Sequence, residues 1–404
     1  MLSAMRGFRR HGIAVMLTTA LAATGCATVV DGTAQPDPSA TSRLDTGGYP
    51  TAPRQVPERT DSNDRRVQAS YELSGHLIAP PELDRTFNWP APSTTPVLPS
   101  DVALGMVFGI PLISGLSQNG SYVGGAVSAR QTALVERAQP NTARMTTGVI
   151  RYRTSDNAVS AARAIRAAVG SNPSPPISGH TDAFLGTSLA NRSLTTVWWM
   201  PFQDYLLVIG FSEVADAVAE ALATSWFDRQ TVAMRALTAT PDQMLTLPPD
   251  RDGIMSLTLP DVIRTGDGAQ LALGYLTPQA WANAAADDWL ATKTLHERAG
   301  VDLVAAAGST VTRTRSATSA RYLADAYRTG EDGGSGNASE EPTVAGVPGS
   351  RCASSITRSN GAPRKAYSCS FAAGRYYVST SGVGTLTQAH QQASASYLMV
   401  KDAK

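Results

Sequence analysis

The chain has 404 residues, 17% of them charged and 42% hydrophobic, with a formal net charge of +1. That balance excludes the strong basic footprint of a nucleic-acid binder, and the length suffices for two domains of ordinary size. Three cysteines and five histidines leave little material for a metal centre.

In chain order the first signal is an address. Arg6, Arg9 and Arg10 precede a weakly polar run over residues 12–23, within the roughly 7 to 15 residues of a secretory core segment. It is too short to span a bilayer, which takes about 20 apolar residues. Leu21-Ala22-Ala23-Thr24-Gly25-Cys26 then resembles the lipobox of bacterial lipoproteins, with Ala23 where leucine is usual. The resemblance implies cleavage between Gly25 and Cys26 and acylation of the Cys26 thiol, palmitate included. The chain is then exported and held by its lipid at the outer face of the plasma membrane or within the cell envelope. Losing three arginines and no acid takes the processed chain to about −2. Residues 27–59, rich in Thr, Pro, Asp and Ser, are too poor in apolar side chains to bury a core and read as a flexible tether.

Three-four spacing of Val67, Tyr71, Ser74, Leu77 and Ile78 predicts one amphipathic helix over residues 62–79, stopped at Pro80-Pro81. The apolar, glycine-punctuated residues 101–116 and the loosely alternating residues 122–129 read as strands. A unit then occurs twice. Its first copy is a strand at 147–154, a helix at 155–169 capped by Ser155 or Asp156, a hairpin of 193–200 and 205–211, and a helix at 213–227. The second is a strand at 310–315, a helix at 317–327, strands at 366–371 and 375–380, and a helix at 385–400. Val149, Arg151, Arg153 and Ala158 match Val311, Arg313, Arg315 and Ala320 at one offset of 162. This order predicts an α+β fold of two related halves, each an antiparallel sheet packed with helices that return over one face. The divisions are a signal peptide at 1–25, Cys26 and the tether at 26–60, an N-terminal half at 61–240, a linker at 241–260 and a C-terminal half at 261–404.

In the second half Thr277 is placed to cap a helix with Pro278 at its first position. Trp281, Trp289 and Leu290 fall on the buried side of that helix, which ends before Gly300. Residues 331–340 read as a surface loop. Cys352 and Cys369 flank Asn360-Gly361-Ala362-Pro363, a turn signal that lets their segments run antiparallel. In an exported protein this predicts a disulfide, with no His or further Cys at ligand spacing for a metal.

Several segments carry a wider likeness. Leu44-Asp45-Thr46-Gly47-Gly48-Tyr49-Pro50-Thr51-Ala52-Pro53-Arg54, the lipobox, Leu247-Pro248-Pro249-Asp250-Arg251-Asp252-Gly253-Ile254-Met255, and Ala389-His390-Gln391-Gln392 with Tyr397-Leu398 together resemble a family of uncharacterised lipoproteins of mycolic-acid-bearing actinobacteria. The likeness covers essentially the whole mature chain. Members carry a domain of unknown function, so it implies address and architecture and brings no catalytic residue.

Catalytic patterns are missing or incomplete. His296-Glu297 lacks the second histidine of a zinc helix, and Gly115-Leu116-Ser117-Gln118-Asn119-Gly120 misplaces a glycine of the nucleophile elbow. Asp250-Arg251-Asp252-Gly253 lacks the further carboxylates of a calcium loop and reads as a turn. No catalytic residue, metal ligand or cofactor is assigned. Arg151, Arg153, Arg313 and Arg315 project two apiece from one strand face. They either bind lipid phosphates or acidic glycans or form a solvated sheet face. Trp198 and Trp199 put a ring on each face of their strand, as core or as the lining of an apolar groove. The leading expectation is a non-catalytic binding or carrier protein for an envelope lipid, glycan or protein partner, touching the membrane through its lipid and no nucleic acid. The competing one is an envelope hydrolase with a site where the halves meet, its candidate bases being His180, His296 and His390.

Overall fold

Consecutive apolar residues mark the central strands of both halves, and they dictate the layering. The computed structural model describes residues 44–403 except 92–95, 110–111, 118–119, 135–141, 170–176, 187–195, 261–273, 286, 333–337 and 360–361. The lipobox, with Gly25 and Cys26, lies outside the described residues.

The first half runs through α1 (Ser62–Gly75), β1 (Trp89–Pro90), α2 (Asp101–Phe108), α3 (Ile113–Ser117), β2 (Tyr122–Gln131), β3 (Arg144–Tyr152), α4 (Ser155–Val169), β4 (Phe184–Gly186), β5 (Thr196–Phe202), β6 (Tyr205–Ser212) and α5 (Asp216–Ala236). Its strands form one antiparallel sheet in the order β1-β2-β3-β6-β5-β4. A short helix α6 (Pro241–Leu245) leads to β7 (Gly274–Leu276), α7 (Pro278–Ala285), α8 (Trp289–Ala299), β8 (Leu303–Ala306), β9 (Thr310–Arg313), α9 (Ala317–Thr329), β10 (Ser339–Glu341), β11 (Arg351–Ser359), β12 (Ala362–Ala373), β13 (Tyr376–Val383) and α10 (Leu386–Val400). The second sheet is β7-β8-β9-β13-β12-β11-β10, the order of the first with one edge strand added.

Register makes the relation exact in position. Val149 faces Leu207 and Arg151 faces Tyr205 in the first sheet, while Val311 faces Val378 and Arg313 faces Tyr376 in the second. The fold is thus α+β with two related halves.

Helices cover both faces of each sheet, where one covered face was expected. Val149 and Ile150, Trp198 and Trp199, and Leu207 and Val208 put apolar side chains on opposite faces, and a sheet buried twice needs two helical layers. In the first half Trp226 and Phe227 of α5 pack with Leu73 and Leu77 on one face, and Leu104, Leu116 and Ile165 of α2, α3 and α4 cover the other. In the second, Ala393, Tyr397 and Val400 of α10 cover one face, and Leu295 and Leu323 of α8 and α9 the other.

Several local expectations change. Residues 101–108 and 113–117 are helical rather than strand: the Ser100 hydroxyl accepts from Ala103 N at 3.3 Å, and Leu104 and Phe108 fall one turn apart on the buried side. Helix α4 is capped by Thr154, whose hydroxyl accepts from Asn157 N at 3.2 Å; Ser155 and Asp156 occupy its first turn. Helix α1 stops at Gly75, and the extended chain beyond it is tied down by Gln230, which donates to His76 O and accepts from Ile78 N. The single helix expected from Thr277 to Gly300 is two, because Asp288 caps a fresh start at α8.

The halves meet along α1. Gln68 donates to Tyr275 O at 2.9 Å and accepts from Tyr275 N at 3.3 Å, pairing the open edge of β7 with a side chain. Gly274 is required there, since a Cβ would stand 2.9 Å from the Gln68 Oε1. Asn283 donates to Ser74 O at 2.9 Å, and Arg130 of β2 donates to Ala282 O at 2.7 Å. Burial lowers the Arg130 pKa to about 10, so the guanidinium stays charged and faces the carbonyl end of α7. Residues 44–59, assigned to the tether from composition, lie in part along the second half: Leu44, Tyr49 and Val56 pack on its core, and Arg54 donates to Thr258 O at 2.9 Å.

Candidate functional site

A sharp turn, a strand end and a helix face converge in the first half. Ile177 and His180 form an isolated bridge, with Gly179 at φ +79°, and the chain then enters β4. Met200, Pro201 and Phe202 end β5, and Asp228, Thr231 and Arg235 stand one turn apart on α5. The turn at Gly179 and His180, the end of β5 and this face of α5 line a cavity of about 390 Å³.

His180 is the polar centre of this cavity. Its Nε2 lies 2.9 Å from Asp228 Oδ1, the imidazole side chain 12% exposed and the carboxylate 67%. One ring face is 5.5 Å from Phe227, which fixes the imidazole against the core. The carboxylate can only accept, so Nε2 carries a proton and the ring orientation is fixed. The Arg235 guanidinium sits over the Phe202 ring at 5.1 Å, and Asp182 adds a second exposed carboxylate. The cavity therefore offers an apolar floor, charges of both signs and an oriented imidazole, a combination suited to a polar ligand with an apolar part.

The residues singled out from sequence are placed elsewhere. Arg151 is 5% exposed, pairs with Asp204 at 2.9 Å and stacks on Tyr205 at 4.9 Å. Arg153 pairs with Asp242. Arg313 bonds Asp302 at 2.8 Å and Asp252 at 3.1 Å, and these partners raise its pKa. Arg315 donates to Arg298 O and to Ser319 Oγ. All four guanidiniums thus have internal partners and do not converge on one site. Trp198 meets Phe211 at 5.9 Å on one sheet face, and Trp199 meets Phe108 at 5.1 Å on the other. Both indoles are core.

Cys352 and Cys369 form the expected disulfide, facing each other across β11 and β12. Contrary to the spacing argument, a histidine does approach them: His390 of α10 brings a ring nitrogen within 4.8 Å of both sulfurs. His296 is buried, its Nε2 3.0 Å from the Tyr327 hydroxyl, and burial lowers its pKa to about 4. The His180 pair was not legible beforehand, because 48 residues separate its members and no motif spacing links them. Among the described residues no helix is long and apolar enough to cross a membrane.

Two antiparallel sheets of common strand order, each sandwiched by helices, define a duplicated α+β protein with a polar cavity in its first half. The chain belongs to the DUF7373 family, a domain of unknown function whose N-terminal profile matches residues 56–249 and whose C-terminal profile matches residues 264–403. No curated protein and no solved structure matches it.

Proposed function

We propose that this is a lipid-anchored binding or carrier protein of the actinobacterial cell envelope, acylated on Cys26, which takes an envelope lipid, glycan or protein partner in the His180 cavity. The observation that carries the binding role is the cavity itself: an imidazole oriented by Asp228, with Arg235 and Asp182 at the rim and Phe202 beneath. The lipobox-like run ending at Cys26, behind a basic N-terminus, supports the address. The seam between the halves, where the hydrolase reading needs its site, is occupied by the buried Gln68, Asn283 and Arg130 and their hydrogen bonds.

Two measurements test this. The Cys26→Ser chain should leave the membrane fraction and lose acyl label, and retention of both would overturn the anchor. Native mass spectrometry of the chain from an actinobacterial host should show a defined extra mass that disappears on denaturation and falls at least tenfold in occupancy in His180→Ala with Arg235→Glu. Absence of bound mass together with His180-dependent turnover of envelope esters or glycans would replace the carrier with a hydrolase.

A further inference from the structure

We propose that Cys352, Cys369 and His390 form a second, independent site: a two-thiolate, one-imidazole centre for Zn(II), available when the Cys352–Cys369 bond is open. The ligand atoms of the three residues already lie within 4.8 Å of one another. Zinc bonds of about 2.3 Å to sulfur place two thiolates about 3.7 Å apart, a separation that side-chain rotation reaches from this position. The backbone is held for it without the covalent bond, because Arg351 pairs with Ser370 and Ala353 with Ser368 on either side.

The histidine is prepared in the same sense. Its helix is pinned by Ala389, Ala393 and Tyr397, all buried in the second core. Its Nε2 lies 2.9 Å from Pro342 O. A carbonyl can only accept, so Nε2 carries a proton and Nδ1 is the nitrogen that would ligate the metal. Metal-binding histidines are oriented in this way, by donating the other ring N–H to a carbonyl or carboxylate. Cys352 and Cys369 are 3% and 1% exposed while His390 is half-buried, so the imidazole side is the mouth, with the fourth position left for water. Sulfur and imidazole ligands in tetrahedral arrangement select zinc over the harder divalent cations.

The chemistry balances. A dithiol supplies two electrons and two protons to the disulfide and is itself oxidised to a disulfide. A phosphine supplies the two electrons and becomes the phosphine oxide, with water giving its oxygen to phosphorus and its two protons to the thiolates, so that two thiols result either way. Zinc then displaces both thiol protons to solvent. The hairpin of β11 and β12 thus has two alternative clasps, a disulfide in the oxidised chain and a metal in the reduced one.

The test uses the full chain carrying Cys26→Ser, which removes the third thiol, reduced with a phosphine and titrated with Co(II) as the spectroscopic stand-in for zinc. One equivalent should bind with sulfur-to-cobalt charge-transfer absorption and tetrahedral d–d bands, and Zn(II) should displace it. The oxidised chain should bind at least a hundredfold more weakly. His390→Ala, at a half-buried position, keeps the disulfide as a control of folding and should weaken binding of the reduced chain by at least tenfold. Cys352→Ser should abolish the charge-transfer band. Absence of that band in the reduced chain, or equal affinity in His390→Ala, would overturn the site.

Discussion

The two halves share a strand order and differ in how the last helix is tied to the sheet. In the first, α5 meets the segment entering β4 through His180 and the exposed Asp228, and a cavity remains between them. In the second, α10 lies over β12 and β13 and brings His390 to the disulfide that joins β11 to β12, and the added strand β10 covers the edge of β11. Equivalent corners of one scaffold are thus open and polar in one half, and closed by a covalent bond in the other. The shared frame explains the folding, and the departure from it is where the binding reading rests.

The same contrast appears at the matched arginines. Arg151 is buried on Tyr205 with one carboxylate partner, whereas Arg313, 15% exposed, has partners that are 51% and 61% exposed. Removing the buried Arg151 strands Asp204, which is 18% exposed, at about 1 to 3 kcal/mol, while solvent screens the second case to about 1 kcal/mol or less. Arg151→Ala should therefore lower the urea midpoint further than Arg313→Ala. Equal losses would break the comparison. Comparable in size is the clasp of the second half. Reducing the disulfide, whose cysteines are 17 residues apart, should cost about 3 kcal/mol. Amide exchange should rise in β11 and β12 and stay unchanged in β5 and β6.

How much of this was legible depended on the range of the signal. The central strands, the hairpins of β5–β6 and β12–β13 and most helices were readable because their patterns are local, as in Thr277 capping α7, whereas the short strands β1, β4, β7, β8 and β10 were not read. The duplication was readable because Val149 and Val311, with their following arginines, keep one spacing. Residues 101–116 were misread as strand, since glycine and a nearly all-apolar run conceal the helical periodicity of 101–108. The covering of both sheet faces, the Gln68 clasp on β7 and the His180 cavity depend on contacts between distant segments. The same holds for His390 beside the disulfide. Spacing along the chain carries no trace of such contacts.

The second half also holds a buried titratable group, His296, whose pKa falls from 6.5 to about 4 through burial. The folded state keeps the imidazole neutral, so its contribution is whole above pH 6.5 and is lost as pH falls toward 4. The loss amounts to about 3 kcal/mol. His296→Gln should remove that part of the acid sensitivity, and an unchanged stability–pH curve would show that His296 titrates freely in the fold.

The smallest effect belongs to Arg153. Its side chain is 49% exposed and its partner Asp242 81% exposed, so the pair is screened and Arg153→Ala should shift stability by no more than about 0.5 kcal/mol. That near-neutrality makes the variant a clean probe of ligand contact. Binding to vesicles containing anionic lipid, followed against ionic strength, separates two roles for the side chain. Unchanged binding leaves Arg153 as an ion pair that joins the end of β3 to α6. Weaker binding at low salt, with stability intact, would mean that it exchanges Asp242 for a phosphate on the ligand. The first half would then use its surface charge as well as its cavity, and the contrast with the second would sharpen.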